Sequence, residues 1–122
     1  MLDIGSVVLG VSDVPRAVAF WTRALDYVVH ERLREDWVVV GPAEGRSGVR
    51  LALGLSRSEV QEHPRMHLDL YARDTADQAA EVERLVSLGA RPVAWDSYPE
   101  DPDFVVLADP DGNRFCIIDP SR

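Results

Sequence analysis

The chain has 122 residues, a net charge of −8 and a hydrophobic content of 46%, which suits one globular domain that buries its own core. The acidic balance disfavours nucleic-acid binding, because a protein that binds phosphates must neutralise them, but it is compatible with a cationic small molecule. All 13 basic residues are arginine, so Schiff-base lysine chemistry and a P-loop are excluded. The single cysteine excludes an internal disulfide framework and a Cys-rich zinc site.

No apolar run approaches the roughly 18 residues that a membrane span requires. The first residues, Met1-Leu-Asp-Ile, show no basic segment followed by an apolar one, which a signal peptide would have. We therefore expect no membrane association and a cytoplasmic location.

The first half of the sequence predicts the order strand, helix, strand, strand, strand. A short apolar run at 6–11 is followed by Asp13, which suits a helix N-cap, and by Pro15, which suits the first helical turn. Apolar residues then recur at helical spacing as far as Leu25. Three further strands are predicted, at 27–33, 37–41 and 49–55.

The second half repeats this order after a polar linker at 56–65. A strand at 66–71 leads to Thr75-Ala-Asp-Gln78, which has the form of a capping box, and Gly89 is predicted to end the helix. The turn sequence Asp109-Pro-Asp-Gly-Asn113 predicts a closing hairpin. The strands of this half are predicted at 91–95, 104–108 and 114–118.

A repeat connects the two halves. Asp13 and Asp74, which each follow a strand, are 61 residues apart, and Ser6 and His67 each lie seven residues before their aspartate. The sequence therefore predicts an α+β fold in which two βαβββ units pair into a curved, mixed, largely antiparallel sheet around a cleft. The units of this single domain span about 1–55 and 66–122.

Four segments in this order resemble the vicinal oxygen chelate superfamily, which includes glyoxalase I, bleomycin-resistance proteins, fosfomycin-resistance enzymes and extradiol dioxygenases. The segments are Val11-Ser-Asp13, Ala17-Val-Ala-Phe-Trp-Thr-Arg-Ala-Leu25, His67-Leu-Asp-Leu70 and Leu107-Ala-Asp-Pro-Asp-Gly-Asn-Arg-Phe-Cys116. The resemblance implies the paired βαβββ fold and a homodimer.

The resemblance also implies where a metal would bind, since metal-using members take up to four ligands, one from the first and one from the last strand of each unit. Ser6 stands at the first of these positions, and 49–55 offers no ligand type at the second. His67 matches the third position, and Cys116 stands where glutamate is expected. Because half of this set is empty, we predict no metal cofactor.

The residue pattern nevertheless leaves a metal open as the alternative. Asp69 shares a strand face with His67, because side chains alternate along a strand, so His67, Asp69 and Cys116 form a possible ligand set for one zinc, iron, nickel or manganese ion. Without a metal, Asp69 would orient His67 for ligand contact or proton transfer. A nucleophilic Cys116 would need His67 beside it to stabilise the thiolate.

Other candidate ligand-binding residues are aromatic or basic. Trp37, Tyr71 and Phe104 are of the type that stacks on a flat ligand, although core packing is the more common role for such residues. Arg114 shares the strand face of Cys116 and would meet an anionic group, or else lie at the rim of the hairpin.

Two functions fit these observations. The first is a metal-independent protein that binds and sequesters a small molecule, aromatic or cationic in kind, as bleomycin-resistance proteins do. The second is an enzyme, namely a lyase, isomerase or dioxygenase that uses either a divalent metal or proton transfer by His67 and Asp69. The sequence favours the first function and names no ligand.

Overall fold

The computed structural model describes residues 1–122, which divide into two compact units, 1–59 and 60–122. The first unit contains β1 (Val7–Val11), α1 (Val14–Leu25), β2 (Tyr27–Arg34), β3 (Trp37–Pro42) and β4 (Leu51–Leu55). The second contains β5 (Asp69–Tyr71), α2 (Thr75–Ser87), β6 (Arg91–Pro92), β7 (Phe104–Ala108) and β8 (Arg114–Ile118). Each unit has the order βαβββ, so the predicted α+β fold of two such units is confirmed.

Each unit forms a four-stranded mixed sheet, with the strand orders β1-β4-β3-β2 and β5-β8-β7-β6. The first and last strands of each unit pair in parallel, and the other pairs are antiparallel. The parallel pair is made possible by the helix and hairpin that separate its strands along the chain. Neither helix is long and apolar enough to cross a membrane.

Helix α1 follows from the local signals in the sequence. The Asp13 carboxylate accepts a hydrogen bond of 3.1 Å from the Arg16 backbone N–H, and Pro15 occupies the first turn, so the N-terminal amide groups are satisfied as expected. Phe20 and Trp21 are both buried, and their rings meet edge to face with centroids 5.0 Å apart. This aromatic pair fastens α1 to the sheet of the first unit.

Helix α2 begins at the aspartate that follows the strand, as in the first unit, and not with the predicted capping box. Its N-cap is Asp74, which accepts a hydrogen bond of 2.9 Å from the Asp77 backbone N–H, so the predicted capping box is wrong. The Thr75 hydroxyl instead donates to the buried carboxylate of Asp119, which directly follows β8, at 2.5 Å. Gly89 follows the helix end with φ +121°, a conformation that favours glycine.

Several predicted strands are shorter in the structure. The strand predicted at 66–71 begins only at Asp69, and the strand predicted at 91–95 ends at Pro92, whose ring nitrogen cannot donate to a ladder. Beyond Pro92 the chain leaves the sheet, and the Trp95 ring packs against His63 with centroids 4.8 Å apart. The predicted strand 49–55 begins at Leu51.

The two faces of the sheet in the second unit differ in exposure, and this difference shows which face α2 covers. In β5 the side chains of Asp69 and Tyr71 are exposed, whereas Leu70 between them is half-buried. Since alternate residues of a strand point to opposite faces, Leu70 points toward α2 and its two neighbours point away. We call the face that carries Asp69 and Tyr71 the helix-free face of the second unit.

Candidate functional site

The helix-free face of the second unit brings together three residues with reactive or metal-binding side chains. Asp69 of β5 lies directly opposite Cys116 of β8 in the parallel register. His67 precedes β5, and its Nε2 lies 3.0 Å from Asp69 Oδ1. The ligand atoms of the three residues all lie within 4.8 Å of one another. We refer to His67, Asp69 and Cys116 as the His–Asp–Cys cluster.

The cluster is accessible on one side and closed on the other. The side chains of His67 and Asp69 are 41% and 46% exposed, whereas Cys116 is only 8% exposed. Because Cys116 N–H donates to the Leu68 carbonyl at 2.9 Å, the backbone of β8 is fixed against the segment that carries His67. The imidazole and carboxylate can therefore meet a molecule from solvent, with the thiol behind them.

The thiol of Cys116 is held in its neutral form. Burial, followed by the charge of Asp69 and a hydrogen bond to that carboxylate, raises its pKa to about 11. A neutral thiol donates to a carboxylate, and the arrangement thus opposes the thiolate that nucleophilic chemistry would need. The structure places Asp69, rather than His67, as the partner of the sulfur.

The other candidate residues divide between the two units. Tyr71, two residues after Asp69 on the same face, is 74% exposed. Phe104 lies on that face opposite Ile118, and its ring packs against Tyr98 with centroids 5.2 Å apart. Arg114 shares the face as well, since it lies two residues before the cysteine of the cluster. Trp37 belongs to the first unit.

Trp37 lies flat on the sheet of the first unit, across Gly54 of β4. A Cβ added to Gly54 would lie 2.8 Å from two atoms of the Trp37 ring, which is closer than van der Waals contact allows. The absence of a side chain at Gly54 therefore allows the indole to pack on the backbone of β4. The ring is half-buried, so one side of Trp37 packs on the chain itself.

The first unit offers no counterpart of the His–Asp–Cys cluster. Val8 of β1 lies opposite Ala52 of β4, in the same relation that the aspartate and cysteine of the cluster have in the second unit. Ser6, two residues before Val8, takes the place of the histidine. At these three equivalent positions the first unit therefore presents one hydroxyl and two aliphatic side chains.

A correspondence that the sequence analysis missed concerns arginine. Arg50 lies two residues before Ala52 in the first unit, and Arg114 lies two residues before the cysteine that stands at the equivalent position in the second. The Nε atoms of both arginines are buried and make no hydrogen bond. The alternation of strand faces, applied to both units together, would have revealed this pair.

The hairpin between β7 and β8 fixes the position of the cysteine and of Arg114. The carboxylate of Asp109, which is fully buried, accepts hydrogen bonds from the backbone N–H groups of Asp111 at 3.0 Å and Asn113 at 2.8 Å. Gly112 in the same turn has φ +94°, which a side chain would strain. These aspartates shape the turn, as turn residues commonly do.

Comparisons with known proteins agree with this architecture. The family model described as a glyoxalase-like domain matches residues 6–118. A comparison with curated proteins finds no match.

Solved structures match along nearly the entire chain. A glyoxalase-related enzyme from Fulvimarina pelagi is 20% identical, with a TM-score of 0.71 over 97% of this chain and 88% of that one. A glyoxalase/bleomycin resistance protein/dioxygenase family enzyme from Burkholderia phytofirmans is 14% identical, with a TM-score of 0.73 over 95% and 97%. A variant of the fosfomycin resistance protein FosX from Listeria monocytogenes, complexed with Mn(II) and a dihydroxypropylphosphonic acid, is 15% identical, with a TM-score of 0.73 over 97% and 90%.

The fold of each βαβββ unit and the family match over residues 6–118 identify a member of the vicinal oxygen chelate superfamily. Within it, the chain belongs to the glyoxalase-like domain family.

Proposed function

We propose that the chain is a small-molecule-binding protein of the glyoxalase/bleomycin-resistance type and that it binds its ligand on the helix-free face of the second unit without a resident metal. The observation that carries this proposal is that the first unit has no metal-binding side chains at the positions equivalent to Asp69 and Cys116. Val8 and Ala52 stand there instead. A metal in this superfamily would draw ligands from both units, and here only one unit offers any.

The chemistry of the cluster supports the same proposal. Asp69 is already engaged by His67 at 3.0 Å and by the Cys116 thiol, whose pKa is raised to about 11. Three side chains that satisfy one another form a stable polar surface without an ion. The imidazole then has one ring nitrogen to offer to a ligand, and its tautomer is set by the carboxylate.

Aromatic side chains on this face support a flat ligand. Tyr71 is 74% exposed, and Phe104 is half-buried on the same side of the sheet. Rings of this kind supply contact area at low entropic cost, whereas the polar cluster supplies orientation. As part of the proposal the chain is cytoplasmic and homodimeric, and light scattering after size-exclusion chromatography tests the dimer.

The test of this proposal is ligand binding by metal-free protein. We expect 2-naphthoate, a flat probe, to shift the backbone amide NMR signals of His67, Asp69 and Cys116 equally with and without EDTA. Elemental analysis of untagged protein purified without chelator should give far less than one metal per chain. His67→Ala should weaken the binding of 2-naphthoate. The control His63→Ala, which removes a histidine paired with Asp96 at 2.7 Å, should leave that binding unchanged. Binding that appears only after zinc or manganese is added would refute the metal-independent role.

A second function, metal-dependent catalysis, is favoured by the cluster geometry itself. His67, Asp69 and Cys116 offer nitrogen, oxygen and sulfur within 4.8 Å, and this donor set suits zinc or iron. A bound ion would act as a Lewis acid toward a carbonyl or phosphoryl oxygen. Since the thiol must lose its proton to become a ligand, we expect metal affinity to rise with pH.

Without an ion, the same residues can still move a proton. The Asp69 carboxylate fixes the His67 ring, whose other nitrogen can accept a proton from a small carbonyl compound. In either version His67→Ala abolishes turnover while the protein stays folded. Unchanged turnover in that variant would exclude both versions.

A further inference from the structure

The charge of Arg114 is not compensated by the protein. Its Nη1 donates to the Gly112 carbonyl at 2.7 Å, and no carboxylate forms an ion pair with it. Its Nε is buried and has no acceptor. The edge of the guanidinium formed by Nε and Nη2 therefore lacks a hydrogen-bond partner, in a chain with 21 acidic residues and only 13 basic ones.

Arg114 differs in burial from the other arginines that stand outside ion pairs. Those arginines are exposed, and water solvates them at little cost. They are Arg32, Arg57, Arg65 and Arg91. Arg114 is half-buried, and a guanidinium removed from water without an anion or an acceptor carries a desolvation cost that a bound anion would offset.

The position of Arg114 places this charge at the proposed ligand site. It lies on β8 two residues before Cys116 and on the same helix-free face, and thus about 7 Å from it along the strand. The carboxylate of the site, Asp69, does not serve Arg114, because it is engaged by His67 and the thiol. A ligand at this face would therefore meet the His–Asp–Cys cluster and, next to it along β8, an uncompensated cation.

We propose that the ligand of this site is an organic anion, a carboxylate attached to a flat body, whose charge is received by Arg114. This inference rests on the proposed function and names its ligand class. The Nη1 bond to Gly112 anchors one end of the guanidinium. The Nε and Nη2 groups, which lack acceptors, form the N–H fork whose geometry matches a carboxylate. The net charge of −8 favours a cationic ligand, and Arg114 reverses that preference locally.

Arg50 provides a matched comparison. It lies two residues before Ala52, as Arg114 lies two residues before Cys116, and its Nε is likewise buried without a partner. It differs in having the Glu31 carboxylate at 3.8 Å and in having no cluster beside it. Removal of either arginine takes away one equivalent charge, but only Arg114 lies beside the proposed site.

The experiment is an NMR titration of the full chain with 2-naphthoate, neutral 2-naphthol and phenylphosphonate, with EDTA present. We expect 2-naphthoate to move the side-chain Nε–Hε signal of Arg114 downfield and to bind roughly tenfold tighter than 2-naphthol. Arg114→Gln should weaken the binding of 2-naphthoate by a similar factor, and Arg114→Lys should weaken it less. Arg50→Gln should leave the affinity for 2-naphthoate unchanged. Amide spectra of the variants verify their folds, and the lysine variant keeps the test valid if the glutamine variant unfolds.

The outcomes separate the two proposals. Equal binding of 2-naphthoate and 2-naphthol at the cluster, or equal losses in the Arg114 and Arg50 variants, would overturn the anion inference and leave the binding function standing. Tighter binding of phenylphosphonate than of 2-naphthoate would overturn the choice of carboxylate. No perturbation of the cluster by any probe would overturn the binding function together with the inference.

Discussion

Replacement of Asp69 by asparagine is predicted to make the Cys116 thiol more reactive. The pKa of this thiol is raised from 9.0 to about 11, first by burial and then by the charge and hydrogen bonding of Asp69. Well below its ordinary pKa, the thiol is therefore about a hundredfold less ionised than an unperturbed cysteine, because each pKa unit is a factor of ten. A substitution that removes the pKa shift can therefore raise the thiolate fraction at most about a hundredfold.

Asp69→Asn removes the charge and the acceptor but leaves the burial, which is the largest cause. The thiolate fraction should therefore rise by less than the full hundredfold, and we expect roughly tenfold. The assay is the rate of alkylation by iodoacetamide, followed by intact mass in the presence of a chelator over a range of pH. The wild-type rate should still be rising as the pH passes the ordinary thiol pKa, whereas that of Asp69→Asn should level off at lower pH.

The control is Asp36→Asn, which removes an exposed carboxylate that pairs with Arg34 in the first unit. It should leave the alkylation profile unchanged. A wild-type profile with its midpoint at or below 9.0, or an Asp69→Asn variant no faster than wild type, would mean that Cys116 is not governed by Asp69 and that His67 acts on the thiol instead.

Two further predictions concern stability. Gly54→Ala places a methyl group 2.8 Å from the Trp37 ring, so the free energy of unfolding in urea should fall by about 1–3 kcal/mol, with altered tryptophan fluorescence. Thr75→Val removes a hydrogen bond to Asp119, whose pKa is lowered chiefly by Ser121 and then by Thr75. A carboxyl whose pKa is lowered on folding stabilises the fold at pH values above its ordinary pKa of 3.8. This stabilisation is lost as the pH falls through the lower pKa of the folded state. The variant should therefore lose stability at neutral pH and converge with wild type in acid.

Matched variants decide these two cases. Gly5→Ala adds a methyl group with nothing within 4 Å and should leave stability unchanged. Thr22→Val removes a hydroxyl that bonds only within its own helix, to the Val18 carbonyl at 2.7 Å and the Ala19 carbonyl at 3.4 Å, and should alter stability without changing its dependence on acidic pH. Equal losses in the glycine pair, or parallel acid profiles in the threonine pair, would contradict the packing and linkage arguments.

The elements that local signals control could be predicted from the sequence. The start of α1 at Asp13 and Pro15 and the end of α2 at Gly89 depend on backbone groups a few residues away, and such signals can be read along the chain. The order βαβββ follows as well, because the period of apolar residues changes between strands and helices.

Features that depend on remote partners could not be predicted from local pattern. The Thr75 hydroxyl finds Asp119, which is 44 residues away, so a convincing local capping motif yields to a tertiary contact. The strand that carries Asp69 pairs with β8 only from Asp69 onward, a limit that the local apolar pattern does not show. The candidate residues of the site could be named in advance, but the choice of Asp69 as the neighbour of Cys116 required the parallel register.

Comparison of the two units separates the positions that follow from the repeat from those that distinguish the candidate site. Both units hold an arginine at the equivalent position, Arg50 and Arg114, and both hold an aromatic residue opposite the last strand, Trp37 and Phe104. The shared positions therefore follow from the common backbone, and they alone cannot define the function. The His–Asp–Cys cluster is the part that differs, and it lies beside the arginine that has no acidic partner. Under the proposed function, a cluster and an uncompensated cation on the same face together constrain the ligand more tightly than either does alone, since the cluster would orient a polar group and the cation would receive an anion.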